Sequence, residues 1–466
     1  MEEYQCGPDL EVTPPAVRGA TGDSGFGRFA SLSASGRSAG TLYAIYDAHM
    51  VGDRSPHVYA TRDFGAHWAE ISHGLPADQE ARSVREDPRN PSILYVGLES
   101  SFWASFDDGA HWRNLNINLP PTSVRDIRIQ PDTNDLIVAT HGRSMWILDD
   151  ITPLQQFQRA RSTGIYLFPI RTAYEYQRHN YFNATVDGTN PSYGAIVTYY
   201  LKRRAAKHPT AEILDARGRI VRHYGATIET GKTKYALTNQ AGMNRFTWNT
   251  GEDAPASWKF TTHWNQGYSS GAQVLPGLYT VVVHVDGDTL RAPVRVLQDP
   301  RMHWSAAQLQ ARYAMNRELY RDVDRVDRAL NLLSTVLNEA PLRAKTLADA
   351  GNGALALKVA AAASQAKLLF ATITENPIND QDNDFLTDVL RERLRSQLDT
   401  FDSFAPPTQA QRVETDRLHA LALDREKAVR AFAAGTLRSV NAELHAAQLL
   451  PLDRLTKMPV LYSPTG

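Results

Sequence analysis

Two near copies of one eight-residue segment, TRDFGAHW at 61–68 and SFDDGAHW at 105–112, fit the pattern Ser/Thr-x-Asp-x-Gly-x-x-Trp, with Asp63 and Asp107 44 residues apart. That spacing is the length of one four-stranded propeller blade, so the repeat speaks first about architecture. In such a turn the aspartate carboxylate accepts hydrogen bonds from N–H groups of its own hairpin. Gly65 and Gly109 supply the permissive backbone, and Trp68 and Trp112 open the next strand and cover the turn. Glycoside hydrolysis needs two carboxyl groups about 5–9 Å apart across one bond, whereas copies of one turn displaced by a whole blade lie farther apart. Asp63 and Asp107 therefore read as structural, and no residue is assigned as catalytic.

From 26 to 152 the chain is a series of strand-length apolar runs broken by Gly, Pro, Asn and Asp: TLYAIYDA, HVYATRD, ILYVGLE, WASFD, VRDIRIQP, DLIVATHG and MWILDD. GTLYAIY, SILYVGL and NDLIVAT occupy equivalent places, which predicts three blades near 26–80, 81–120 and 121–152. The third has THGRSMWILDD where the aspartate turn belongs, as an ending repeat often does. DSGFGRF at 23–29 reads as a linker, because its glycines lack a preceding strand and a following helix.

Longer, irregular strands follow. AEILDA and RIVRHY form a hairpin at Arg217–Gly218, and VLPGLYTVVVHVDGDTLRAPVRV a second at Asp286–Gly287. A small antiparallel sandwich of immunoglobulin or fibronectin type is the economical fold, with Trp258 and Trp264 on a loop that either roofs its core or stands exposed. Past Pro300 the period changes to three and four residues. Ser305/Gln308 and Thr408/Gln411 are capping boxes, and helices are predicted from 305 to about 339, where Pro341 closes the segment, then at 353–374, 384–402 and 409–448. The fold class is thus mixed and multidomain. Its parts are a tail or remnant of a preceding blade at 1–25, partial propeller blades at 26–156, a β-sandwich at 157–300, an antiparallel helical bundle at 301–450 and a tail at 451–466.

The repeated turn resembles the Asp box of sialidases and related BNR-repeat proteins. The stretch 86–156, above all ATHGRSMWILDD at 139–150, is similar to the terminal blades of bacterial sortilin/Vps10-like BNR propellers often labelled glycosyl hydrolases. The resemblance implies a propeller longer than three blades, with CGPDLEV at 6–12 as the end of an earlier one and this chain as a C-terminal portion. It also implies export, although the first residues carry acids and no leader. The hydrolase label does not come with the motif. Sialidases use an arginine triad, a tyrosine with a glutamate, and an aspartate; Arg82, Arg85, Arg125 and Arg143 offer no triad spacing, and Tyr43 and Tyr95 read as strand residues.

Fifty basic and 51 acidic residues give a net charge of -1, which leaves no basic field for nucleic acid. No run of about 18 apolar residues spans a membrane; ALALKVAAAASQAKLLF is broken by Lys358 and Lys367. Cys6 is the only cysteine, and no compact histidine spacing marks a metal site, so neither metal nor cofactor is assigned. His67 and His111 match in the two turns but stand a blade apart, and DNDFLTD at 382–388 lacks the glycine and glutamate of a calcium loop, so it reads as a helix lead-in. The remaining ligand candidates are His141 and Arg143, at a strand end near a central channel or else filling a turn, with Arg143 paired to Asp149 or Asp150. Trp103, Trp258 and Trp264 are candidate sugar-stacking faces. These features predict a noncatalytic scaffold or a module for protein or glycan partners, with homo-oligomers or absent N-terminal blades as further candidate partners. A glycoside hydrolase completed by those blades, or a carbohydrate-binding module, is the alternative.

Overall fold

The computed structural model describes residues 27–176, 192–225, 236–260, 268–374, 389–401 and 405–456. Trp264 and the segment 382–388 lie outside them. The chain divides into two compact units, one of Met1–Arg171 with Thr198–Lys202, the other of Thr172–Val197 with Arg203–Gly466.

The first unit holds three antiparallel meanders in chain order. β1 (Arg28–Ala34), β2 (Leu42–Asp47), β3 (His57–Thr61) and β4 (Ala69–Glu70) form one; β5 (Ala81–Glu86), β6 (Leu94–Leu98), β7 (Phe102–Ser105) and β8 (Trp112–Asn114) the next; β9 (Val124–Ile129), β10 (Leu136–Thr140) and β11 (Met145–Leu148) the third. Four consecutive strands in one meander is the arrangement of a propeller blade. LYVGL in β6 is apolar throughout because both of its faces are covered. Leu94 and Val96 join Tyr43, Ile45, Val58 and Trp112 in a core with the first sheet. Tyr95, Phe102, Ile127 and Leu136 make a core with the third. Gly97 permits this approach: a Cβ there would stand 2.4 Å from Val124 Cγ1.

β1 and β5 are strands that apolar patterning misses. DSGFGRF is not simply a linker, since Arg28 and Phe29 open β1. ARSVRE in β5 is almost wholly buried despite two arginines and a glutamate, because each has partners within the unit. β11 has no further strand beside it among the described residues, and Met145 and Ile147 are 69% and 61% exposed on that edge. Two short helices, α1 (Thr152–Gln155) and α2 (Phe157–Thr163), lead to β12 (Ile165–Leu167), which pairs with residues 199–201 of β14 (Ala195–Leu201).

In the second unit β13 (Ala173–Glu175), β19 (Asp288–Gln298), β18 (Gly277–Val285), β15 (Thr210–Leu214) and β16 (Ile220–Tyr224) form a five-stranded sheet in that order. Both expected hairpins are present, and Asp286 and Gly287 take φ of 48° and 100° to turn the longer one. The sheet is mixed rather than purely antiparallel, because edge strand β13 runs parallel to β19. β17 (Gly242–Trp248) packs on it through Trp248, whose ring meets Tyr279 at 5.2 Å.

The helices are α3 (Ala306–Asp349), α4 (Gly353–Ala371), α5 (Leu390–Asp399), α6 (Gln409–Phe432) and α7 (Arg438–Ala446), the last two joined through a π turn at Ala433–Leu437. Ser305 and Thr408 form the two expected capping boxes. Pro341 does not close α3, which continues eight residues past it to Asp349. Proline deprives one carbonyl of its donor, but flanking Ala340 and Leu347 are buried in the helical core and Arg343 Nε donates to Leu450 O at 3.0 Å, so tertiary packing carries the helix through. Among the described helices α4 alone is long and apolar enough to span a bilayer; one face, with Leu355, Val359, Ala362, Ala366 and Phe370, is buried in the helical core, while Leu357 and Leu368 are exposed.

Candidate functional site

The two repeated turns are superimposable in their bonding. Thr61 Oγ1 accepts from Gly65 N at 3.0 Å and donates to Asp63 Oδ1 at 2.9 Å, while Asp63 Oδ1 accepts from His67 N at 2.9 Å and Oδ2 meets His67 Nδ1 at 2.6 Å. Ser105, Asp107, Gly109 and His111 repeat this set, in the same order, at 2.9, 2.8, 2.9 and 2.7 Å. Hydrogen bonds from the backbone and side chain of His67 hold the Asp63 carboxyl down to about 2. Burial raises Asp107 somewhat, but the same bonds from His111 outweigh it and keep it below the usual range. The residue before each glycine, Phe64 or Asp108, has φ near 60°, and Gly65 and Gly109 follow at 89° and 90°. Trp112 is buried and donates Nε1 to Ile71 O at 2.7 Å, locking the second turn onto the first meander; Trp68 is half-buried beside Ala44 and Tyr59. The histidines thus serve their own turns.

The opposite end of the sheets carries a cluster of charged side chains. Leu42, Leu94 and Leu136 hold equivalent register positions: Leu42 pairs with Thr61 and Leu94 with Ser105, the first residues of the two turns. Five residues on from each leucine stand Asp47, Glu99 and His141, so three repeats present one acidic, acidic and imidazole group at the same strand end. The next sheet-opening strand brings its own residues alongside. Glu99 N donates to Glu80 O at 3.0 Å and His141 N to Ser123 O at 2.8 Å, which makes Glu80 and Ser123 equivalents just before β5 and β9.

Arg82 organises the cluster. Its Nη1 donates to Asp47 Oδ2 at 2.8 Å, Nη2 to Glu80 Oε1 at 2.6 Å and Nε to Glu99 Oε2 at 2.6 Å. Oxygens bound to different nitrogens of one guanidinium lie within about 8 Å of each other. Asp47 also accepts from His49, at 2.6 Å to Nδ1, and Glu99 from Ser123 Oγ at 2.9 Å. Farther out, Arg28 stands 3.7 Å from Asp47, Arg54 3.5 Å from Glu80 and Arg125 3.6 Å from Glu99, all three substantially exposed. Burial pushes the Asp47 carboxyl up, yet the His49 hydrogen bonds and the Arg82 charge outweigh it and hold it below its ordinary value. Burial likewise raises Glu99, and the bonds from Arg82 and Ser123 outweigh it. Both are therefore carboxylates at neutral pH.

Of the expected ligand residues, His141 and Arg143 are exposed beyond β10 at this same end, where Thr122 Oγ1 donates to His141 O at 3.3 Å and Trp146 Nε1 to Arg143 O at 2.9 Å. Asp150 is engaged elsewhere, accepting from Thr152 Oγ1 at 2.6 Å. Arg82 and Arg125 do converge on Glu99, but each nitrogen of Arg82 is engaged by an acid, and Arg85 serves Ile127 O and Asp126. Tyr43 and Tyr95 are buried strand residues, and burial pushes the Tyr43 hydroxyl up to about 12. Trp103 is half-buried against the core between the first two sheets and donates Nε1 to Ser101 Oγ at 2.8 Å. Trp258 is not an open stacking face. It is 2% exposed, packs on Phe370 at 5.7 Å and donates Nε1 to Ser334 Oγ at 2.9 Å within the helical core. Among the described residues no group of three or more His, Cys, Asp or Glu could hold a metal ion. Asp47, Glu80 and Glu99 went unnoticed in the sequence; their signal is the constant offset from the leucines of three aligned runs.

No known family matches the sequence, and no curated protein does either. Solved structures resemble it weakly. The GH74 enzyme of Niastella koreensis has a TM-score of 0.22 and 12% identity over 57% of this chain and 46% of that one. The GH74 xyloglucanase of Xanthomonas campestris has 0.21 and 14%, over 57% and 38%. YCF48, solved with a bound peptide, has 0.18 and 10%, over 60% and 80%. The chain spans less than half the length of either GH74 enzyme.

Proposed function

We propose that this chain is a noncatalytic interaction module: a portion of a BNR-type, sortilin-like propeller at 26–156, a sandwich at 157–300 and a helical bundle at 301–450, with the strand ends that expose Glu99 and His141, flanked by Arg28, Arg54 and Arg125, as the surface that meets a protein or glycan partner. The observation that carries this reading is the pairing of Arg82 with three carboxylates. A glycosidase needs one carboxyl that keeps its proton at working pH, and Asp47 and Glu99 are instead held below their ordinary values. The Asp-box carboxylates are spent on their own hairpins. Hydrolysis of a panel of aryl glycosides, sialosides and xyloglucan tests it: turnover above the background of an Asp47→Asn, Glu99→Gln double variant overturns the reading.

A glycoside hydrolase completed by further N-terminal blades is the second reading. What favours it is the convergence of three carboxylates on one guanidinium, which keeps the bound oxygens within about 8 Å of one another. A longer chain with added blades that turns over the same panel, where this one does not, would support it.

A further inference from the structure

A second polar site lies at the other end of the same sheets, within the first unit. The β5–β6 turn supplies Arg89, the β9–β10 turn Asp132, and the segment after β12 Pro169, Ile170 and Arg171 to a pocket of about 400 Å³, a size that suits a small ligand. Its frame is rigid. Gln155 Nε2 donates to both oxygens of buried Asp87, at 3.0 and 2.9 Å, Asn134 Nδ2 donates to Gln155 Oε1 at 2.9 Å, and Arg171 Nη1 to Asp135 Oδ1 at 2.8 Å. A partly buried hydrogen-bonded network of this kind holds its shape.

The frame leaves groups of both kinds unspent. Arg89 uses Nη2 on Pro131 O and Arg171 uses Nη1, so each guanidinium keeps Nε and another nitrogen as donors. Asp132 uses Oδ2 on Gln130 and Asp150 uses Oδ1 on Thr152, so each carboxylate keeps one oxygen as acceptor. Two lining carboxylates, Asp132 and Asp150, balance the two arginines, so the lining has no net charge to select an anion. Asp87 is sealed behind Gln155 and Tyr95, which removes the convergent carboxylates that a cation needs. A hydroxyl donates and accepts at once and matches planar groups of both kinds, while Pro169 and Ile170 offer apolar surface to a C–H face.

We propose that this pocket binds a neutral sugar, with Arg89, Arg171, Asp132 and Asp150 as its hydroxyl partners. It stands apart from the reading of the strand-end cluster. Titration of the full chain with the methyl glycosides of glucose, galactose and xylose, followed by ligand-observed NMR and calorimetry to about 50 mM, tests it. Saturable binding of at least one glycoside, weakened about fivefold or more by Arg89→Ala and by Asp132→Ala with the melting temperature unchanged, is the expected result. Absence of saturable binding, binding that neither exposed-residue variant weakens, or tighter binding of glucuronate than of the neutral sugars overturns it. Hydrolysis of the panel above would remove the noncatalytic reading and leave this site untouched.

Discussion

Replacing Arg82 with methionine keeps most of the side chain's length and removes a group that touches Asp47, Glu80 and Glu99 together. Asp47 has a fully buried side chain and Glu80 is 5% exposed, so two carboxylates lose a counter-ion away from solvent. Glu99, 30% exposed and still near Arg125 and Ser123, loses less. Removing one partner from a buried ion pair costs about 3–5 kcal/mol. With a urea m-value of about 1–3 kcal/mol/M, the midpoint of the affected transition should fall by roughly 1–3 M. The pH dependence follows from the sign of the shifts. In the wild type the depressed Asp47 and Glu99 contribute stability that is full above their unfolded pKa values and is lost as pH falls through the folded ones. In the variant burial acts unopposed by Arg82 and raises these carboxyls, so protonation relieves the penalty and the gap between the two proteins narrows from pH 7 to pH 4. Urea melts at both pH values measure it, with Arg82→Lys as a charge-retaining control expected to lose less. A loss under about 1 kcal/mol, or an equal loss at pH 4 and pH 7, would refute Arg82 as the centre of the cluster.

Asp107→Ala removes the acceptor for His111 N and Ser105 Oγ and should cost about 1 kcal/mol, read as a drop of a few degrees in melting temperature, while Asp107→Asn loses less; no change would refute a structural role for the turn. Burial pushes the Glu175 carboxyl up to about 8 against the opposing charge of Arg312, and its Oε1 has no hydrogen-bond partner. The folded state therefore holds a proton that the unfolded one releases above about 4.5, and stability falls with rising pH between those values by up to about 1.4 kcal/mol per unit. Glu175→Gln should flatten that slope, and parallel melting curves for the two proteins from pH 5 to 8 would count against it. The exposed β11 edge with Met145 and Ile147 should make the chain self-associate, since covering a few hundred Å² of apolar surface stabilises by several kcal/mol at about 25 cal/mol per Å². Sedimentation equilibrium should give a mass that rises with concentration and falls back in Ile147→Lys; a monomer at every concentration refutes it.

What the sequence determined by itself is what local chemistry determines. The aspartate carboxylates bond within their own eight-residue turns, so those residues and their hydrogen bonds were legible, as were the Asp286–Gly287 hairpin turn and the capping boxes at Ser305 and Thr408. Tertiary structure decided wherever a side chain's environment comes from a distant segment. β5 reads as polar because its charges are satisfied by residues of other strands and loops, 17 to 52 positions away for Glu99, Asp47, Asp126 and Ser33. Pro341 reads as a stop because the packing that holds α3 together comes from residues about a hundred positions on, such as Leu450. Trp258 reads as a loop indole that either roofs the sandwich core or stands exposed, because its partners Ser334 and Phe370 belong to helices far along the chain. The strand-end cluster lies between these cases: the repeat places Asp47, Glu99 and His141 in register, but only the packing of one sheet on the next brings Arg82 among the carboxylates and sets their charge.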